Sequence, residues 1–169
     1  LAYLTYHDGT ISYHMGGWAP PWGIEYVVDT ANAFILLLVS SIATMVLIYS
    51  PASVAKEIRP GRGHLYYCMY ILCLTGLLGI AITGDAFNVF VFLEVSSLSS
   101  YALIAMGGQR KALTAAFQYL VMGTIGATFF LIGVGLLYMM TGTLNMADLA
   151  KRIPEIQDSR PVLAAFAFI

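Results

Sequence analysis

Four apolar runs, each long enough to cross a lipid bilayer, dominate this sequence of 169 residues. They extend approximately from Val27 to Tyr49, Leu65 to Thr83, Ala86 to Met106 and Ala112 to Met140, and a fifth run begins at Val162 and reaches Ile169. A bilayer core of about 30 Å needs roughly 20 helical residues. Backbone polar groups in lipid must find partners within their own element, and the strict alternation of a barrel strand is missing, so the runs read as helices. Composition agrees: 59% of residues are hydrophobic and 10% charged, against roughly 25% charged in a soluble domain. The sequence predicts an all-α, polytopic transmembrane bundle, with an outer surface segment over 1–26 and a transmembrane domain over 27–169. A net charge of -1 supplies no basic surplus for neutralising phosphates, which argues against a nucleic-acid partner. Cys68 and Cys73 match neither a metal nor a disulfide spacing and read as small buried hydrophobes. The sequence opens on Leu1 and stops at Ile169 inside an apolar run, as expected of a piece of a longer chain.

The links differ in character. The first 25 residues are polar, aromatic and rich in turn formers (Gly9, Gly16, Gly17, Pro20, Pro21, Gly23). They predict an extended or hairpin segment at the membrane surface, with Trp18 and Trp22 in the interface. Ser50 to His64 is a loop made basic by Lys56, Arg59 and Arg62, and Gly107 to Lys111 is a short turn carrying Arg110 and Lys111. Between the second and third spans only Thr83, Gly84 and Asp85 remain, which requires a tight antiparallel hairpin. Thr143 to Ile153 has a short amphipathic helix pattern closed by Pro154. Alternate loops divide the 8 Lys and Arg residues five against three. By the positive-inside rule the two basic loops face the cytoplasm and the Trp/Gly/Pro segment faces outward, as in a multi-pass protein of the inner (plasma) membrane.

Glu94 is the most informative position. It is the ninth residue of the run from Ala86 to Met106, roughly 12 Å along a helix and so near the middle of the bilayer. A lipid-facing charge at that depth costs about 2.5–3.5 kcal/mol, so intramembrane acids face the protein interior and mark ion or proton paths. A carboxyl group buried without a cation can load and release protons near neutral pH. The alternative is a structural acid paired with a basic group, although no Lys or Arg lies in any span of this sequence. At helical spacing Glu94 has Phe90 and Val91 below it and Ser97, Leu98 and Tyr101 above. Ser97 and Tyr101 could hold waters or donate to the carboxylate, whereas Ser96, Ser99 and Ser100 fit close helix packing better. On the next span Ala112, Ala116, Gly123 and Ala127 line one seam, a close-contact surface without chemistry. Gln118 reads as part of an entry path or as an interfacial polar residue, and His64 as a proton relay or an ordinary boundary imidazole. Asp29 and Asp85 open helices and read as caps. His7, Asp8 and His14 lack the spacing of a zinc site, and Gly16-Gly17 lacks the lysine of a P-loop. No metal, catalytic centre or cofactor is expected.

Four stretches carry a family resemblance. They are Gly16-Gly17-Trp18-Ala19-Pro20-Pro21 leading to Gly23-Ile24-Glu25 and Asp29; Thr83-Gly84-Asp85-Ala86-Phe87-Asn88-Val89-Phe90-Val91-Phe92-Leu93-Glu94; Ser100-Tyr101-Ala102-Leu103; and Thr141-Gly142-Thr143-Leu144-Asn145-Met146-Ala147-Asp148-Leu149. Together they resemble the antiporter-like subunits shared by respiratory complex I, membrane-bound hydrogenases and Mrp sodium/proton antiporters. The form around Glu94 is most like the D-type member of the Mrp set and its NADH dehydrogenase relatives. The resemblance implies about fourteen helices in two inverted five-helix repeats. The spans here would be the third to sixth, with the seventh begun after Pro161. It also places Glu94 on the family's membrane-embedded glutamate and the partner lysine beyond Ile169. Gln118 departs from the basic residue that many relatives carry.

Three functions follow as expectations. The first is a proton-translocating subunit of a larger complex, with Glu94 as carrier, other membrane subunits as partners, and protons and in some members sodium as cargo. It has no redox centre of its own. The second is a membrane scaffold that conducts nothing. The third is a membrane enzyme using His7, Asp8 and His14 at the outer surface.

Overall fold

The computed structural model describes residues 2–156 and 158–169, with Asp8 as backbone only. The order is α1 (Ala2–Asp8), β1 (Ile11–His14), β2 (Glu25–Val28), α2 (Thr30–Glu57), α3 (Gly63–Ile82), α4 (Ala86–Ala105), α5 (Arg110–Thr141), α6 (Met146–Ile156) and α7 (Arg160–Phe168). Four of these, α2 to α5, are long and apolar enough to cross a membrane. The N-terminal segment is a hairpin, as its turn formers predict: β1 pairs antiparallel with β2, Ile11 opposite Val28 and His14 opposite Glu25. Gly16, at φ 64, sits in the 3-10 turn between them, in left-handed space that costs glycine nothing. Trp18 and Trp22 are exposed on this segment.

Several boundaries depart from the sequence reading. The segment before the hairpin forms α1 instead of extended chain. The first span starts at Thr30, because Val27 and Val28 belong to β2. It then runs straight through Pro51 to Glu57, about 42 Å in all. Pro51 deprives the Leu47 carbonyl of its helical N–H, and the buried Ser50 hydroxyl donates to that carbonyl instead, at 2.8 Å. The basic loop therefore shrinks to the five residues between α2 and α3, and Lys56 rides on the helix. Pro154 likewise lies inside α6 instead of closing it. Cys68 is exposed, and only Cys73 packs inward, with its sulfur 3.4 Å from Ser100 Oγ.

Helix starts follow local chemistry. Asp29 accepts from Asn32 N at 2.7 Å and Asp85 from Asn88 N at 2.8 Å, and each such cap contributes about 1 kcal/mol. Asn145 does the same for α6 through Asp148 N, at 3.1 Å. Gly142, at φ 70, terminates α5 in the left-handed conformation, its N–H donating to the Tyr138 carbonyl at 2.7 Å.

Paired extended segments sort the connections into two ends. Tyr26 bridges to Thr83 and Asp85 to Asn145, gathering the hairpin, the α3–α4 turn and the α5–α6 link at one end. Ile58 bridges to Gly107 at the other, bringing the two basic turns together. The buried cluster Ala86, Val134, Leu137, Leu149, Val162 and Ala165 sits at the first end, where α4, α5, α6 and α7 converge. Between the ends the helices touch through small residues. A Cβ on Gly76 of α3 would lie 2.6 Å from Ser96 N, and one on Gly79 would run into the Phe92 ring.

Candidate functional site

Glu94 occupies the ninth of the 20 positions of α4, partly buried, midway between the two ends. Among the described residues no Lys, Arg or His nitrogen lies within ion-pairing distance of it: the ion pair there is Arg152 with Asp148, and the one His–carboxylate contact is His14 with Glu25. The serines above it divide. Ser96, Ser99 and Ser100 turn their hydroxyls onto backbone carbonyls of their own helix, at 2.9, 2.6 and 2.9 Å. Ser97, one turn from Glu94, makes no such bond among the described residues and is partly buried. Tyr101 lies two turns from Glu94 on the same face of α4. It is buried, its hydroxyl filling the notch left by Gly123 on α5 and its ring edge-on to Tyr119 at 5.0 Å. Gly123 therefore faces α4, and Ala116 and Ala127 of the same seam are buried.

Gln118 and His64 are not drawn into this group. Gln118 is exposed on α5, and His64 is exposed in the first turn of α3, at the basic end. His7 and His14 are also separate: His7 packs its ring tilted against Tyr3 and edge-on to Tyr6 on α1, while His14 Nε2 lies 3.9 Å from Glu25 Oε1 across the hairpin. The side chain of Asp8 lies outside the described residues. Among the described residues no cluster of three His, Cys, Asp or Glu side chains could hold a metal.

Sequence reasoning gave Glu25 no role, yet it is the knot of the first end. Ser12 donates to one carboxylate oxygen and Asn145 Nδ2 to the other, at 2.9 Å. Its backbone carbonyl accepts from Gly84 N, and Gly84's own carbonyl accepts from Met146 N, each at 2.8 Å. The bond from Ser12 holds the Glu25 carboxyl below its ordinary range, against the opposing effect of burial, with Asn145 and His14 adding to the lowering. Asp85 moves the other way, pushed up by burial despite the amides of Asn88 and Phe87. Arg152 completes this end, pairing with Asp148 at 2.9 Å and donating to the Thr141 carbonyl at the C-terminus of α5 at 2.8 Å.

Comparison with known proteins adds a family to this geometry. The family described as NADH:quinone oxidoreductase/Mrp antiporter, TM matches residues 83–169, just over half the chain. The NADH-quinone oxidoreductase subunit N of Desulforudis audaxviator is 46% identical over 93% of this chain and 31% of its own length. A Na(+)/H(+) antiporter subunit of Alkalihalophilus pseudofirmus is 34% identical over 94% of this chain and 32% of its own. The chain thus spans about a third of these relatives. Among solved structures, a subunit of the archaeal membrane-bound sulfane sulfur reductase superposes with a TM-score of 0.88 at 34% identity, over 99% of this chain and 34% of that one. One from the Mrp complex of Dietzia does so with a TM-score of 0.76 at 30% identity, over 99% and 31%.

Proposed function

Because the chain belongs to the NADH:quinone oxidoreductase/Mrp antiporter transmembrane family, we propose that it forms part of a proton-translocating subunit of a multi-subunit membrane complex, with Glu94 as the intramembrane proton carrier. The observation that carries this reading is a carboxyl group midway along a membrane helix, partly buried and without a cation among the described residues. A static structural acid at that depth needs a partner to offset its desolvation. A carrier instead needs a partner whose charge comes and goes. A cation brought beside a buried carboxyl group favours the carboxylate, and its removal favours the acid, so moving the cation loads and discharges a proton. Ser97, with its hydroxyl not engaged by its own helix, and Tyr101 on the same face provide polar groups for a water chain toward the basic end. Gln118 and His64, nearer that end, would serve as its outer steps. Other membrane subunits are the partners in this reading, and protons, with sodium in an antiporter setting, are the cargo.

The test pairs assembly with transport in the full chain within its complex. Glu94→Gln keeps the size of the side chain but cannot exchange a proton, so the complex should assemble and lose most proton movement in vesicles. Glu94→Asp keeps the acid one methylene short and should retain partial activity. If Glu94 were instead half of a static ion pair, Glu94→Gln would strand a buried cation at about 3–5 kcal/mol, and assembly would fail first. A Gln variant that assembles and transports at the wild-type rate would falsify the proposal.

A further inference from the structure

At the basic end the Ile58–Gly107 bridge draws the α2–α3 loop and the α4–α5 turn together. Between them lies a cavity of about 190 Å³ lined by Arg59, Arg62 and Arg110, the Gly107-Gly108 backbone and Leu113. Three arginines, two from the α2–α3 loop and one from the first turn of α5, thus line one hollow, and among the described residues no carboxylate lines it and none forms an ion pair with them. The neighbouring cavity differs, since its cations Lys56 and Lys111 are accompanied by Glu57. The first turn of α5 adds to the positive field, because it carries no acidic residue and its N-cap, Gln109, makes no side-chain cap. The hollow therefore attracts an anion, and arginine forks suit the oxygens of a phosphate.

The surroundings decide which anion. Leu113 forms part of the cavity wall and begins an exposed apolar stripe that continues through Phe117, Leu120 and Val121 along α5. A free phosphate gains nothing from that stripe, whereas an amphiphile places its head in the cavity and its chains along the helix. We propose that Arg59, Arg62 and Arg110 bind the phosphate headgroup of an anionic phospholipid whose acyl chains lie along Leu113, Phe117 and Val121. This site is independent of the role assigned to Glu94.

The test uses the full chain in its assembled complex, in phosphatidylcholine vesicles doped with a phosphatidylglycerol that carries a diazirine in one acyl chain. After illumination, peptide mass spectrometry should find adducts within residues 113–121. Excess phosphatidylglycerol should remove them, and excess phosphatidylcholine or inorganic phosphate should not. Arg59→Gln/Arg62→Gln/Arg110→Gln together should reduce these adducts roughly 10- to 100-fold while leaving adducts elsewhere unchanged, in line with the weight of each basic residue at an anionic surface. The corresponding Lys triple, which keeps the charge and loses the fork, should fall between the wild type and the Gln triple. Should the Gln triple fail to assemble, the wild type still decides, through a diazirine phosphatidylcholine used at the same dose. Equal labelling by the two lipids, no adducts in 113–121, or displacement by inorganic phosphate would each overturn the assignment, the last by making the hollow a free-anion site.

Discussion

At Glu25 one carboxylate ties together chain segments 13 and 120 residues away, through Ser12 and Asn145. That tie is pH-sensitive, and its sign is fixed by the direction of the shift. The native carboxyl group titrates below its ordinary value of 4.5, chiefly because Ser12 bonds to the charged form. Its contribution to stability is therefore present above 4.5 and is lost as the pH falls through the lower native value. Asp85 is raised from 3.8 by burial, so its charge costs stability as the pH climbs from 3.8 through the raised native value. Glu25→Gln should lower Tm at neutral pH and converge on the wild type in acid. Asp85→Asn, which still caps α4, should gain on the wild type as the pH rises through that interval. Tm against pH for the purified full chain in detergent checks both, and difference curves of the same slope would remove the account. Glu94 was legible at this scale because one charge in an apolar run is visible without any fold. Glu25 was not, since its partners belong to segments that only folding brings together.

Helix contacts depend on how close two backbones come, and three glycines differ in what a methyl group would meet. At Gly76 the obstacle is backbone, Ser96 N at 2.6 Å and Phe92 O at 2.8 Å, which cannot step aside without parting α3 from α4. At Gly123 it is the far end of a side chain, the Tyr101 hydroxyl, which can yield at some cost because the residue is buried. At Gly126 there is nothing within 4 Å. The expected order of destabilisation by Ala is thus Gly76, then Gly123, with Gly126 neutral or improved by up to about 1 kcal/mol of helix propensity. Overpacking of this kind costs typically about 1–3 kcal/mol. Tyr101→Phe should recover part of the loss at Gly123 and none at Gly76, a coupling that a double-mutant cycle in Tm resolves. Equal effects at all three glycines would sink the close-approach argument. The α5 seam was legible from its spacing of small residues. The α3 glycines were not singled out, because two glycines in an apolar run look alike whether they face a neighbour or lipid. The passage of α2 through Pro51 was hidden for a related reason, since it depends on where the Ser50 hydroxyl turns.

On the scale of the whole molecule, the spans were legible because lipid forbids any other use of such runs, but the differentiation of the two ends was not. Charge counting separates the loops by five cations against three; the structure adds a physical contrast. One end is a cross-braced layer, with Glu25, Gly84, Asp85 and Asn145 joining three connections above a buried cluster. The other is two short turns bridged at Ile58 and Gly107 around an arginine-lined hollow. Each end must lie on its own side of the membrane, and the positive-inside rule predicts the arginine end in the cytoplasm. Single cysteines at Thr10, Asp158, Pro60 and Gln109, introduced after Cys68 and Cys73 are changed to Ser, distinguish the two parts of this statement. An impermeant thiol reagent added outside intact cells should label the first two and spare the last two until the membrane is opened. Complete reversal would overturn the orientation while leaving the two-ended fold. Thr10 and Asp158 on opposite sides would be incompatible with the bridges from Tyr26 to Thr83 and from Asp85 to Asn145, and so with the fold itself.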